Sequence, residues 1–137
     1  MQSLVRNHTL QEIMNDKGLA KLGDGLVNLC YSLAKSLVLG EATGEKVRDR
    51  VLAKAIREHR AYDYIGKRTD AGDAADAYEA LMAYIWLTGR VGYEEMVQIL
   101  REHLEIEQGM SRRMEAELAT LAFIQLLNRV DEHLPRE

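Results

Sequence analysis

Apolar residues recur along this chain at the three- and four-residue steps of an α-helix, and no segment shows the sustained alternation of a β-strand. The clearest case is a helix predicted over about residues 19–39, which Gly40 follows where helices commonly end. Its spacing predicts a helix whose apolar face is turned to the core. The apolar positions of that face are Leu22, Leu26, Leu29, Cys30, Leu33 and Leu37.

Capping signals and the same periodicity predict the other helices. A first helix begins at the capping box Thr9-Leu10-Gln11-Glu12 and ends near residue 16, before Gly18. A third, capped by Thr43, runs to about residue 58, and a short turn of helix covers 61–65. Three longer helices follow over about 73–88, 93–107 and 112–133, with Asp73 and Ser111 capping the first and last of them. The third helix is expected to bury Val47, Val51, Ala55 and Ile56. The pattern predicts one all-α domain over residues 1–137.

Composition agrees with one domain and excludes several classes of protein. With 137 residues, 47% of them hydrophobic, the chain can bury a single core. Its one cysteine excludes a disulfide framework and a cysteine-based zinc site, and it indicates a reducing cytoplasm. No apolar run reaches the roughly 20 residues of a membrane span, and the N-terminus is too polar for a signal peptide.

The aromatic and histidine side chains are interpreted as structural residues with no role in the chemistry. Tyr78, Tyr84, Trp86 and Phe123 are predicted to pack in the core or at a dimer interface, and His8, His59, His103 and His133 to lie on the surface.

The net charge of −4 argues against a nucleic-acid partner, but the charge is unevenly distributed. Residues 46–68 hold eight basic and three acidic side chains, so this stretch is +5 and the rest of the chain is −9. Part of it, Lys46, Arg50, Lys54 and Arg57, falls on one stripe of the third predicted helix. Such a stripe is most often a solvated helix face, and the alternative is a track for RNA phosphates. The candidate phosphate contacts are Lys46, Arg50, Lys54, Lys67 and Arg68.

Three acidic residues occupy positions that acids seldom take. Asp24 lies in an apolar helix between Gly23 and Gly25, and glycines there imply that something approaches the backbone closely. Asp76 and Glu79 lie three residues apart among small side chains, so they project from one helix face. Crowded carboxylates indicate a bound cation, and all-oxygen ligands favour Mg²⁺ or Mn²⁺. The competing interpretation is that acids near a helix N-terminus only complement the helix dipole.

Two segments resemble the motifs of the ribonuclease III family. Gly18-Leu19-Ala20-Lys21-Leu22-Gly23-Asp24-Gly25-Leu26 resembles the signature helix, usually Glu-Arg-Leu-Glu-Phe-Leu-Gly-Asp. Ala75-Asp76-Ala77-Tyr78-Glu79-Ala80-Leu81 resembles the second motif, Ala-Asp-x-x-Glu-Ala-Leu. The order and the separation of the two motifs agree with the family, and the resemblance covers about residues 19–100.

The resemblance implies an all-α homodimer that cleaves double-stranded RNA with Mg²⁺, leaving 3′-hydroxyl and 5′-phosphate ends. It implies that Asp24, Asp76 and Glu79 are catalytic metal ligands, with Asp76 as a ligand or as a residue that orients one. It also implies, on a looser alignment, that Glu41 is a further acid of the cleft. Structured precursor RNA is the implied substrate, by similarity to the compact Mini-III branch, which lacks an RNA-binding domain.

Two departures from the family pattern leave alternatives open. The family places glutamates where this chain has Lys17 and Ala20, although Mini-III proteins also lack the second of these. A site short of a carboxylate is expected to hold its metal more weakly. The alternatives are an RNA-binding or scaffold subunit that has lost cleavage, and an all-α nucleotide pyrophosphohydrolase.

Overall fold

The computed structural model describes residues 1–136, and their architecture is all-α, as the sequence predicts. No strand occurs among these residues. Short 3₁₀ turns cover Gln2–Leu4, Arg60–Tyr64 and Asp131–His133. The six α-helices are α1 (Leu10–Met14), α2 (Lys17–Leu39), α3 (Asp49–Arg57), α4 (Ala71–Leu87), α5 (Tyr93–His103) and α6 (Arg112–Val130). In the described part of the chain, no helix is long and apolar enough to cross a bilayer.

Helix α4 forms the centre of the fold. Eleven of its 17 residues are buried, and it packs against α1, α2 and α3. Five of the buried residues are alanines, which let the neighbouring helices approach closely. Helix α5 packs on α2, and α6 closes the other side against α3 and α5.

Helices α2 and α4 come into backbone contact at Gly23. A Cβ atom on Gly23 would lie 1.9 Å from the backbone oxygen of Glu79, so the two helix backbones touch. This is the close approach that the glycine beside Asp24 predicts. Gly25 is different, because a Cβ there would meet no atom of the described chain within 4 Å.

Several predicted helix ends are corrected. Helix α1 ends at Met14, and Gly18 lies inside α2, which Asp16 caps through the Leu19 N–H. Helix α4 begins earlier than predicted, because Asp70 caps it by accepting from the Asp73 N–H. Helices α5 and α6 end earlier than predicted, while Thr9 and Ser111 cap α1 and α6 as predicted.

The third helix starts at Asp49, five residues after the predicted start, and residues 41–48 form an irregular loop. Side chains of α2 satisfy the backbone of this loop. The Ser36 hydroxyl accepts from the Thr43 N–H at 2.9 Å, and the Asn28 side-chain oxygen accepts from the Val47 N–H at 2.7 Å. The loop therefore needs no helical hydrogen bonds of its own. The predicted buried residues of this region, Val47, Val51, Ala55 and Ile56, are all buried.

Four of the six positions on the predicted core face of α2 are exposed. Leu26 and Cys30 are buried as predicted, because α4 and α5 cover their side of the helix. The other four leucines keep 37–52% of their surface exposed, and Gly25 lies exposed among them. We call this surface the α2 apolar face. It comprises Leu22, Gly25, Leu29, Leu33 and Leu37.

His59 is buried, not on the surface as the sequence suggests. Its Nε2 lies 2.8 Å from Asp131 Oδ1, and its Nδ1 accepts from the Ala61 N–H at 3.0 Å. Burial lowers the pKa of His59 and outweighs the opposing effect of Asp131. The neutral imidazole suits both hydrogen bonds, since a proton on Nδ1 would face the Ala61 N–H. Of the four aromatic residues, Tyr78 and Phe123 are fully buried, and Tyr84 and Trp86 are partly buried.

We expect His59 to make the fold less stable below pH 6.5. The unfolded chain protonates His59 near its ordinary pKa of 6.5, whereas the folded chain resists protonation, so stability falls as the pH drops through that value. Loss of the Ala61 hydrogen bond on protonation would cost about 1 kcal/mol. Urea unfolding from pH 7.5 to 5 should show this slope, and His59→Asn, which keeps a capping acceptor, should remove it. An equal slope in both proteins would contradict the assignment.

Candidate active site

The three acidic residues predicted from the sequence line one open pocket of about 340 Å³. Asp24 comes from α2, and Asp76 and Glu79 come from α4. They meet because Gly23 brings the α2 backbone against that of Glu79. The pocket is completed by Lys17, Ala20, Lys21, Lys46 and Asp49.

Glu79 and Asp24 form a coupled pair in this pocket. Glu79 is 5% exposed, and burial, followed by its hydrogen bond with Asp24, raises its pKa to about 9. The same hydrogen bond, together with Lys46, lowers the pKa of Asp24. Glu79 is thus the protonated partner, which donates to an ionised Asp24. Asn28 fixes Asp24 further by donating to its Oδ1 at 3.1 Å.

Two lysines form ion pairs with carboxylates of the site. Lys46 Nζ lies 3.0 Å from Asp24 Oδ1, and Lys17 Nζ lies 3.4 Å from Asp76 Oδ2 and 4.0 Å from Asp73 Oδ1. With the side chains so placed, no three acidic, histidine or cysteine residues of the described chain converge on one point where a metal ion would bind. Positive charge at this site is supplied by ammonium groups.

The chemistry of the donor set nevertheless fits a hard divalent cation. Every candidate ligand is a carboxyl oxygen, and two adjacent carboxyl groups can both ionise only with positive charge beside them. Lys46 has a side chain that is 69% exposed, so it can leave Asp24 without disturbing the core. Asp24 and Glu79 would then be free to share one ion.

Comparison with known protein families shows the family to which this chain belongs. The family model of ribonuclease III matches residues 17–136. The chain belongs to the ribonuclease III family. Members of this family are ribonucleases, so the protein is of the hydrolase kind. A search of curated proteins found no significant match.

The four residues of the predicted basic stripe do not form one continuous surface in the ribonuclease III domain. They lie in three different places. Lys46 precedes α3 and faces the acidic pocket, whereas Arg50 and Lys54 line a groove between α3 and α6. Arg57 lies over the Tyr62 ring and donates to the Thr69 carbonyl at 3.4 Å. Lys67 and Arg68 are exposed in the loop before α4. Lys46 is therefore not part of a helical stripe, because α3 starts after it.

Glu41 does not join the acidic pocket. It follows the far end of α2, about 22 Å along the helix from Asp24, and it accepts a hydrogen bond from Gln108. Asp49 lines the pocket instead. Sequence reasoning missed Asp49, whose position at the start of α3 resembles ordinary dipole stabilisation. It also missed Arg113 in the α3–α6 groove, since nothing in the sequence links α6 to α3.

Proposed function

We propose that this protein is a Mg²⁺-dependent endoribonuclease that cleaves double-stranded RNA as a homodimer. The observation that carries the proposal is the grouping of Asp24, Asp76 and Glu79 in one pocket of a ribonuclease III domain. Mn²⁺ is an alternative ion, since it accepts the same oxygen ligands. Structured precursor RNA is the substrate class that we favour.

Five residues in or beside the pocket have proposed tasks in phosphodiester hydrolysis. Asp24 and Glu79 would hold the cation, and Asn28 would keep Asp24 oriented through the hydrogen bond that it donates to Asp24 Oδ1. A bound divalent ion supplies an activated water and neutralises charge on the phosphate oxygens. Asp76 orients this arrangement from one turn of α4 away. Lys46, once released from Asp24, lies at the edge of the pocket, where it can pair with a phosphate.

Basic residues beyond the pocket position the RNA backbone. The groove between α3 and α6 presents Arg50, Lys54 and Arg113, with Glu117 as its one acidic residue. Arg113 lies 3.8 Å from Glu117, a loose pair that leaves the groove positively charged. With Lys67 and Arg68, these side chains offer phosphate contacts that do not read sequence.

The α2 apolar face supports the homodimer. Four exposed leucines on one helix are a large apolar surface for a soluble protein, and such surfaces mark interaction sites. Gly25 strengthens the argument, because a glycine inside a helix costs up to about 1 kcal/mol and nothing in the described chain requires it. A second copy crossing α2 at Gly25 would explain both features. Asp24, which lines the acidic pocket, directly precedes Gly25 on α2, and in this proposal the dimer joins the two pockets into one valley.

We expect Leu29→Glu to dissociate this dimer without unfolding the subunit. Leu29 is 52% exposed, so a charge is tolerated in the monomer but not at the centre of an apolar interface. The dimer dissociation constant should rise at least about tenfold in analytical ultracentrifugation. Leu121→Glu is the matched control, since Leu121 is 56% exposed on α6. A monomeric native protein, or equal effects of the two variants, would contradict this interface.

The function is tested with long double-stranded RNA as substrate. Purified protein with Mg²⁺ should give short products with 5′-phosphate ends, and EDTA should stop the reaction. Single-stranded RNA of the same sequence should be cleaved far more slowly. Hydrolysis of nucleoside triphosphates without RNA cleavage would instead indicate the pyrophosphohydrolase.

One observation favours a second candidate, an RNA-binding subunit without cleavage. Ala20 offers no oxygen to the pocket, and Lys17 and Lys46 already pair with two of its carboxylates. RNA binding that persists with no cleavage in Mg²⁺ or Mn²⁺ would support this candidate.

A further inference from the structure

The acidic pocket is nearly balanced in charge before any metal binds. Four carboxyl groups and three ammonium groups line it, an excess of one negative charge if all are ionised. If the first divalent cation displaces Lys46 from Asp24, the lining becomes neutral, and a second cation would bring it to +2. Since like charges at this range repel strongly where water is partly excluded, the lining favours one ion. The three ammonium groups belong to Lys17, Lys21 and Lys46.

Lys17 and Lys46 pair with different carboxylates of the pocket, so the loss of each ion pair would have a different effect on metal binding. Lys46 pairs with Asp24, a proposed ligand, so a bound cation replaces it directly. Lys17 pairs with Asp76 and approaches Asp73, both in the first two turns of α4. Ala20, one turn along α2 from Lys17, has no ligand atom. The Asp76 side of the pocket therefore holds an ammonium group where a second ion would need further oxygen ligands.

We propose that each subunit binds one divalent cation, between Asp24 and Glu79, and that the Lys17 ammonium group, held by Asp76, supplies the second positive charge that faces the phosphate. The inference rests on the proposed function, because the cation is that of the proposed nuclease. Lys17 acts here by its charge and its position. The family pattern has glutamate at this position, so the change reverses the sign of the charge.

The chain offers a matched control in Lys21. It lines the same pocket, but it forms no ion pair with any residue from 1 to 136. Lys17→Glu and Lys21→Glu change the charge of the pocket equally. Only Lys17→Glu places a third carboxylate beside Asp73 and Asp76, where a second ion could bind.

The test counts Mn²⁺ ions bound to metal-free protein by electron paramagnetic resonance. Native protein and Lys21→Glu should each bind one ion per subunit, and Lys17→Glu should bind two. Two ions on the native protein, no ion at all, or the same count in both glutamate variants would overturn the proposal.

A second measurement tests the role of the Lys17 charge. Lys17→Met should still bind one Mn²⁺ ion but should cleave double-stranded RNA at least about tenfold more slowly, because one charge that stabilises the phosphate is lost. Arg90→Met, which removes an exposed positive charge outside both the acidic pocket and the α3–α6 groove, should change the rate less than about threefold. Equal rates for the two methionine variants would overturn this role. If no variant cleaves RNA while the ion counts follow the expectation, the proposed nuclease function fails and the single-ion site stands.

Discussion

Glu79→Gln is expected to lower the rate of double-stranded RNA cleavage by at least about 100-fold while leaving the fold intact. Glutamine has the size of glutamate but cannot ionise, so one of the two proposed ligands becomes a weak one. Loss of groups that only orient metal ligands already costs about 10–100-fold, and a direct ligand should cost at least the upper value. Single-turnover cleavage at saturating protein measures the effect.

We expect the stability of Glu79→Gln to show that the Glu79 carboxylate is needed for metal binding and not for folding. Burial and Asp24 raise the pKa of Glu79 to about 9, so the metal-free protein keeps this side chain neutral at pH 7. A neutral glutamine is then no worse for the fold. Mg²⁺ should raise the melting temperature of the native protein, since a ligand that binds only the folded state stabilises it, and should not raise that of Glu79→Gln.

Glu115→Gln is the matched control. Glu115 is half-buried in α6, accepts from the Tyr31 hydroxyl at 2.7 Å and pairs with Lys35 at 2.9 Å, outside the acidic pocket. This variant should lose roughly 1 kcal/mol of stability and keep its cleavage rate. Cleavage by Glu79→Gln near the native rate would remove Glu79 from the catalytic group.

Gly23→Ala is expected to destabilise the protein by about 3 kcal/mol or more, a large effect for one methyl group. The added Cβ would lie 1.9 Å from the Glu79 backbone oxygen and 2.4 Å from its carbonyl carbon, so two helix backbones would have to separate. Overpacking of flexible side chains costs about 1–3 kcal/mol, and backbone atoms yield less readily. The gain in helix propensity, about 1 kcal/mol, does not offset this.

Gly25→Ala provides the comparison, two residues away on the same helix. Its Cβ meets nothing within 4 Å, so the isolated subunit should gain about 0.5–1 kcal/mol from helix propensity. Urea unfolding at a protein concentration below dimer formation measures both variants. Equal destabilisation by the two alanines would contradict the packing of α2 on α4. Gly23→Ala should also stop cleavage, because it separates Asp24 from Glu79.

Local sequence patterns were enough to predict the helical architecture and to single out three acidic residues that lie in one pocket. Periodicity and local capping boxes depend only on neighbouring residues, so the predicted caps at Thr9 and Ser111 are confirmed. The resemblance to ribonuclease III rests on two short motifs, which contain the proposed metal ligands and Gly23. The match to the family model confirms this resemblance. The roles of Asp24, Asp76 and Glu79 stay predictions, although the structure places all three in one pocket.

Features that depend on contacts between residues far apart in the chain could not be predicted from local sequence. Residues 41–48 form a loop, not the predicted helical turn, because side chains of α2 accept hydrogen bonds from its backbone N–H groups. The spacing of apolar residues gives no information about such distant hydrogen-bond partners. The exposure of Leu29 and Leu33 follows from how much of α2 the helices α4 and α5 cover. Lys17 meets Asp76 across 59 positions of sequence. Local sequence fixes which residues are apolar or charged, but only packing fixes which of them meet.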